Sequence, residues 1–254
     1  MKLLAVGDVV GTAGLEYLKK NLAAVKRKYG ADIAVVNGEN AAAIGLTPRQ
    51  ADDMLYCGAD VVTLGNHTYS KEAIKPYLED STRVIRPANY APLAPGRGWT
   101  VIPSAYGDVA VINLQGRCGM DFGPDNPFYE VDRILKKLDT KLIFIDFHAE
   151  ATSEKLAMAY HLEGRVSAVW GTHTHVQTND AQVLEGGTGM ICDLGMTGPK
   201  RSILGVRPEQ SVAMFRGLRA GRYDVADGPC KLEGCVFTVD EKTGRCISAE
   251  AIRE

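Results

Sequence analysis

The sequence predicts an α/β fold with two sheets, and three observations carry that expectation. The first 70 residues repeat a short apolar strand, a loop of small and polar residues, and a helix. Such units imply a largely parallel sheet with right-handed crossovers. The rhythm breaks over residues 80–128, which are rich in proline and glycine, and then returns. Beyond the GTHTH stretch at 171–175 the chain reads as β-rich. No internal repeat, low-complexity tract or linker interrupts it, so residues 1–254 are expected to form a single domain.

Each element has its own signal. KLLAV reads as a buried strand, followed by Gly7 and Asp8. A helix from about Leu15 to Tyr29 places Leu15, Leu18, Leu22, Val25 and Tyr29 on one face. DIAVVN is the next strand, ending in Gly38, Glu39 and Asn40. TPRQADDMLYCG is a helix with Thr47 as N-cap, Pro48 at the first position and Gly58 as stop. ADVVTLGNH repeats the scheme. Strands follow near Trp99–Ile102 and Val109–Leu114, then the amphipathic YEVDRILKKL, the strand KLIFIDFH, the helix SEKLAMAYHLEG and the strand VSAVWGTHTH. In extended backbone His173 and His175, two apart, would project to one side. QVLEGGTGMICDLG, QSVAMFRGL and EGCVFTVDEKTGRCISAEAI read as β, the last as a hairpin around Glu241–Gly244.

Composition narrows the function. The chain is 45% hydrophobic and 24% charged, ample for a core. Its formal net charge of −2 gives no ground for a stable nucleic-acid complex or an anionic-membrane surface. The run Lys26–Lys28 falls on the polar side of a helix, a solvated face. Six cysteines show no CxxC spacing, which points to reduced thiols in a reducing compartment. The opening MKLLAVGDVVG resembles a signal peptide, but Asp8 cuts the apolar run short and no stretch reaches transmembrane length. A cytoplasmic protein is expected.

The chemistry collects where the strands end. Asp8, Glu39 with Asn40, Asn66 with His67, His148, and His173 with His175 each follow an apolar run. Ligands of open α/β sheets bind beyond the carboxyl ends of strands. Two carboxylates, two carboxamides and four imidazoles thus share one rim, donors suited to zinc, manganese or iron. They are too many for one tetrahedral ion and about enough for two. A two-ion site activates a bridging water and clamps the oxygens of an in-line displacement, chemistry that phosphoester hydrolysis needs most. A histidine outside the metal set could protonate the leaving oxygen.

GDVVG, NGEN, GNH, DFHAE and GTHTH stand in the order of the motifs of the calcineurin-like metallophosphoesterases. They resemble most closely the bacterial YmdB-like phosphodiesterase branch, and the likeness runs from Asp8 to about Gly205, including DLGMTGPKRSILG. Two positions depart from the wider superfamily: Val10 stands where a histidine is usual, and Glu39 where an aspartate bridges. The YmdB-like branch shares both changes, with the asparagine filling the vacancy. The resemblance implies a four-layer α/β/β/α sandwich of two packed mixed sheets flanked by helices. It implies that Asp8, Glu39, Asn40 and His175 hold one ion, and that Glu39, Asn66, His148 and His173 hold the other. His67 would be the general acid. The ions would be iron, with manganese or zinc as alternatives, and the reaction hydrolysis of phosphodiesters, including 2′,3′-cyclic nucleotides, by a hydroxide shared between the ions.

Plainer readings compete residue by residue. Asp8 could cap the following helix, and Asn40 and Asn66 could be turn residues; it is the joint pattern that favours a metal site. His161, late in its helix, is expected to be structural. Glu150 is close enough to His148 to be a partner. Lys200 and Arg201 could touch a substrate phosphate or simply be exposed. Two further functions stay open: a phosphomonoesterase of the same fold, or a metal-bound nucleotide-binding regulator with little turnover. Glycines 7, 11 and 14 loosely imitate a phosphate loop, without G-x-G-x-x-G spacing. Substrate preference should depend on loops 86–98 and 117–128; a homo-oligomer is neither required nor excluded.

Overall fold

The computed structural model describes every residue except Asp121, Phe122, Ala220 and Arg222, so part of the 117–128 loop lies outside the described residues. Its strands form two mixed sheets. The first contains β1 (Lys2–Val6), β2 (Asp8–Val9), β3 (Ile33–Asn37), β4 (Val61–Thr63) and β5 (Val84–Ile85). The second contains β6 (Trp99–Ser104), β7 (Gly107–Gln115), β8 (Leu142–His148), β9 (Ala168–Thr172), β10 (Gln182–Val183) and β11 (Gly189–Ile191). The chain then returns to the first sheet as β12 (Met196–Pro199), β13 (Cys230–Val239) and β14 (Cys246–Arg253). The first sheet has the order β2–β12–β13–β1–β3–β4–β5, with β14 paired to β13; the second has the order β10–β11–β9–β8–β7–β6. β1, β3, β4 and β5 are parallel, as are β7, β8, β9 and β11, while β13 runs antiparallel between β1 and β12.

Among the described residues there are six helices: α1 (Gly11–Tyr29), α2 (Pro48–Tyr56), α3 (Ile74–Asp80), α4 (Pro127–Leu135), α5 (Thr152–His161) and α6 (Pro208–Phe215). The layers follow from strand alternation. In β1, Leu4 and Val6 face the helices with Leu18, Leu22, Met54 and Ile74. Leu3 and Ala5 face the other way and pack with Val111, Phe144 and Trp170 of the second sheet. Beyond that sheet, Ile112, Ile143 and Ile145 pack with Val131 and Ile134 of α4 and Met158 of α5. The sequence of layers is helix, sheet, sheet, helix, as expected. Strands buried on both faces read as continuous apolar runs, which is why KLLAV and KLIFIDFH lack alternation.

Local signals mostly act as expected. Thr47 caps α2 in a reciprocal box with Gln50, with Pro48 following. The β13–β14 hairpin turns over 240–245, with Asp240 accepting from Thr243 and Gly244. Two readings change. QSVAMFRGL is largely α6, opened by Pro208, because a short apolar run carries no decisive period. Helix α1 begins at Gly11 rather than about Leu15, with Val10 at its N-cap and no side-chain cap, so Asp8 does not cap it. Of the early glycines, Gly14 serves close helix–strand packing, since a Cβ there would collide with the Thr197 carbonyl of β12. No helix among the described residues is long and apolar enough to cross a membrane.

Candidate metal centre

Parallel pairing sets the site. β8 and β9 are in register with His148 opposite Thr172, and β3 and β4 with Asn37 opposite Thr63, so two strand-end rows face one another. Asp8, Glu39, Asn40, Asn66 and His67 come from strands and strand-end loops of the first sheet, and His148, His173 and His175 from those of the second. Hydrogen-bond-length contacts join all eight into one cluster. Asp8, Glu39 and His148 are fully buried. Gly65 lets the loop into this space, since a Cβ there would collide with the His148 ring and the Glu39 carboxylate.

Three imidazoles share one arrangement. His148 has Nδ1 2.9 Å from Thr172 Oγ1, His175 has Nδ1 2.9 Å from the Leu204 carbonyl, and His173 has Nε2 3.2 Å from Glu150 Oε2. Each outer nitrogen therefore meets an acceptor for its N–H, so that in the neutral imidazole the inner nitrogen's lone pair faces the cluster. Glu39 Oε1, Asn66 Oδ1 and His173 Nδ1 then converge on His148 Nε2 at 2.9, 3.0 and 3.1 Å. These are acceptors gathered on one nitrogen, more than a single proton can satisfy. A second gathering surrounds Asn40, whose amide Nδ2 lies 3.2 Å from His175 Nε2 and 3.5 Å from Asp8 Oδ1 and Glu39 Oε1. Glu39, His148 and His173 alone place ligand atoms within 4.8 Å of one another. A donor set with surplus lone pairs fits cations.

The charges agree. Burial alone would raise Asp8 and Glu39; His175 and His148 outweigh it, and both carboxyls are held below their ordinary range. Burial would lower His148, but the Glu39 carboxylate outweighs it and raises the imidazole to about 9. Burial and the neighbouring His148 charge push His173 down to about 4. The ionised carboxylates thus favour a proton on His148, positive charge at the heart of the cluster.

Sequence reasoning misses two supports. Beneath His148, Thr172 Oγ1 donates to Asp146 Oδ1 (2.7 Å), Thr63 Oγ1 donates to the other oxygen, and Asn37 Nδ2 lies 3.2 Å from it. Asp146 stands inside the apolar run IFIDF, and a charge there is the available signal. The other support is Lys155 Nζ to Asp193 Oδ2 at 2.7 Å, both side chains buried. That oxygen also accepts from the Thr174 N–H at 3.1 Å.

This second support bears on a correction. β9 ends at Thr172, and His173 and His175 have φ of 105° and 62°, so they are not extended neighbours. Left-handed backbone at non-glycine residues costs on the order of 1–3 kcal/mol each. Bonds from the His173 N–H to Asp8 and the Thr174 N–H to Asp193 hold the turn, and it sends the two rings to different parts of the cluster. Glu150 pairs with His173 rather than His148. His161 ends α5 and meets Asp132 at 3.1 Å, away from the cluster. Lys200 and Arg201 are exposed just after β12, and no hydrogen bond ties their side chains to the cluster.

Two cavities open on the cluster. One of about 560 Å³ is lined by Asn66, Tyr69, Ser70, Tyr90, Ala91 and Ala94. The other, of about 630 Å³, is lined by Asn40, Ile44, His67, His175, Leu204 and Tyr223 among others.

Comparison with known proteins fits this architecture. A family model described as YmdB-like protein matches residues 4–252. A Bacillus subtilis relative named 2′,3′-cyclic-nucleotide 2′-phosphodiesterase is 43% identical over 257 residues, covering 99% of this chain and 96% of the relative. A novel phosphatase from Mycoplasma pneumoniae superposes with a TM-score of 0.94 at 34% identity, over 100% of this chain and 93% of that one. A hypothetical protein from Thermus thermophilus does so with 0.93 at 36%, over 100% and 99%. Fold and relatives define the class, a hydrolytic phosphoesterase of the metallophosphoesterase fold. Within that class, the chain belongs to the YmdB-like protein family.

Proposed function

We propose that the chain is a phosphodiesterase with a two-ion centre, acting on 2′,3′-cyclic nucleotides. The observation that carries this reading is the common arrangement of His148, His173 and His175, whose outer nitrogens meet acceptors while their inner nitrogens converge with two carboxylates and two carboxamides. Asp8, Glu39, Asn40 and His175 would hold one ion, and Glu39, Asn66, His148 and His173 the other. Asn40 would turn its carbonyl oxygen to the ion, a half-rotation that exchanges near-equivalent positions. When bound, the ions supply an activated water and neutralise phosphoryl charge. The oxygen- and nitrogen-rich set suits iron, the metal the resemblance implies, and also manganese or zinc. The substrate class follows the name of the Bacillus relative. Six free cysteines, four of them buried, fit a reducing, cytoplasmic setting.

His67 stands apart from the ligand sets. Its N–H donates to Glu39 Oε2 at 3.1 Å, its ring reaches Asn66 at 3.4 Å, and it lines the larger cavity. We assign it the proton given to the departing oxygen. His67→Ala is expected to keep its metal content and lose about 10²–10⁴-fold in kcat; equal loss of metal and turnover would remove the assignment. The reading as a whole is tested by metal analysis of the purified chain and hydrolysis of 2′,3′-cyclic AMP with and without chelator. Two ions per chain and chelator-sensitive turnover are expected. Undiminished turnover in a metal-free chain would overturn the reading.

A further inference from the structure

We propose that the 560 Å³ cavity beside Asn66 is a nucleobase subsite that grips the base by its face and reads little of its edge. The inference rests on the function proposed above and deepens it. Three features of the cavity support it.

The cavity is aromatic and adjoins the reaction. Tyr69 and Tyr90 line it, with ring centroids 5.9 Å apart and planes tilted by 46°. Asn66, a member of the cluster, forms part of the same wall, so a phosphate at the cluster leaves its nucleoside at the cavity mouth. The volume lies within the range of small-molecule sites.

The wall is built in advance. The Arg86 guanidinium, 5% exposed, donates to the carbonyls of Pro87 at 2.8 Å and Ala94 at 3.2 Å, pinning both ends of the loop that carries Tyr90. Asn89 donates to the Gln115 and Asp125 carbonyls, each at 2.8 Å. A site ordered before binding spares the ligand the cost of ordering it.

The tyrosines have committed their hydroxyl protons to the wall, so neither has a donor left for a base edge. Tyr69 donates to the Pro95 carbonyl at 2.7 Å; Tyr90 lies 3.0 Å from the Gly65 carbonyl and 2.6 Å from Gln115 Oε1. With their tips engaged in the wall, the rings offer faces, and Ala91 and Ala94 add apolar surface. Stacking on an aromatic face tolerates any base because every base has a π-face. Purines should therefore exceed pyrimidines, while adenine and guanine differ little.

The test compares ligands with and without a base. Calorimetry of the chain as purified, with its metal, should show 3′-AMP binding about tenfold more tightly than ribose 3-phosphate. That ratio should fall towards one in Tyr69→Leu and persist in Tyr69→Phe, which keeps the ring. In turnover, the ratio of kcat/KM for 2′,3′-cyclic AMP over methyl riboside 2′,3′-cyclic phosphate should shrink by the same factor in Tyr69→Leu. A ratio of one in the unaltered protein, or one that Tyr69→Leu leaves unchanged, overturns the subsite. If neither cyclic phosphate is hydrolysed, the proposed function fails, and the binding ratio still decides the subsite.

Discussion

Glu39→Gln is expected to lower phosphodiester turnover on the order of 10³-fold, the ratio carried by several kcal/mol of lost transition-state stabilisation. Its carboxylate reaches into both gatherings of ligand atoms. One oxygen lies 2.9 Å from His148 and 3.5 Å from Asn40, and the other accepts the His67 N–H at 3.1 Å. Glutamine keeps the volume and one acceptor but loses the charge and the second lone-pair-bearing oxygen, so it cannot serve two cations. Metal content should fall with turnover. The fold should survive, because glutamine keeps the side chain's volume and its carbonyl can still accept the backbone N–H of His67. Metal analysis, kcat and thermal melting in chelator separate these effects. A variant with full metal and full turnover would remove Glu39 from the centre.

Lys155→Met is expected to destabilise the chain by about 3–5 kcal/mol, because it strands the buried Asp193 carboxylate without its counter-charge. For a chain of this size that corresponds to a melting temperature lower by about 6–20 °C. Asp193 keeps bonds from the Thr174 N–H at 3.1 Å and the Gly195 N–H at 2.9 Å, but these do not neutralise it. Lys155→Met with Asp193→Asn, where the amide carbonyl can still accept one of those two bonds and no charge is buried, should recover part of the loss. Calorimetric melting of both variants and the parent checks this. An unchanged melting temperature in Lys155→Met would mean the pair contributes nothing net.

Much of the fold is legible in the sequence because its strands are short, apolar and punctuated. Thr47 and Pro48 announce α2, and the strand ends announce the rim. What stays hidden is three-dimensional. The left-handed turn at His173 and His175 depends on Asp8 and Asp193, which are distant in the chain, so the extended spacing brings both rings to the cluster by an incorrect geometry. Lys155 sits in a helix among polar residues, and burial alone distinguishes it from a solvated lysine, whereas Asp146 leaves a signal as an acidic residue within an apolar run. Segment 208–218 misleads because an apolar run of that length does not declare its period, and the packing that settles it comes from elsewhere.

The cluster is divided between the two sheets. Residues before 70 supply both carboxylates, both carboxamides and His67, while the other three imidazoles arrive only after residue 147. Neither stretch carries the whole cluster, and the first sheet is complete only when β12, β13 and β14 return to it. If the cluster is the catalytic centre, as proposed, competence arises only once the two sheets have come together.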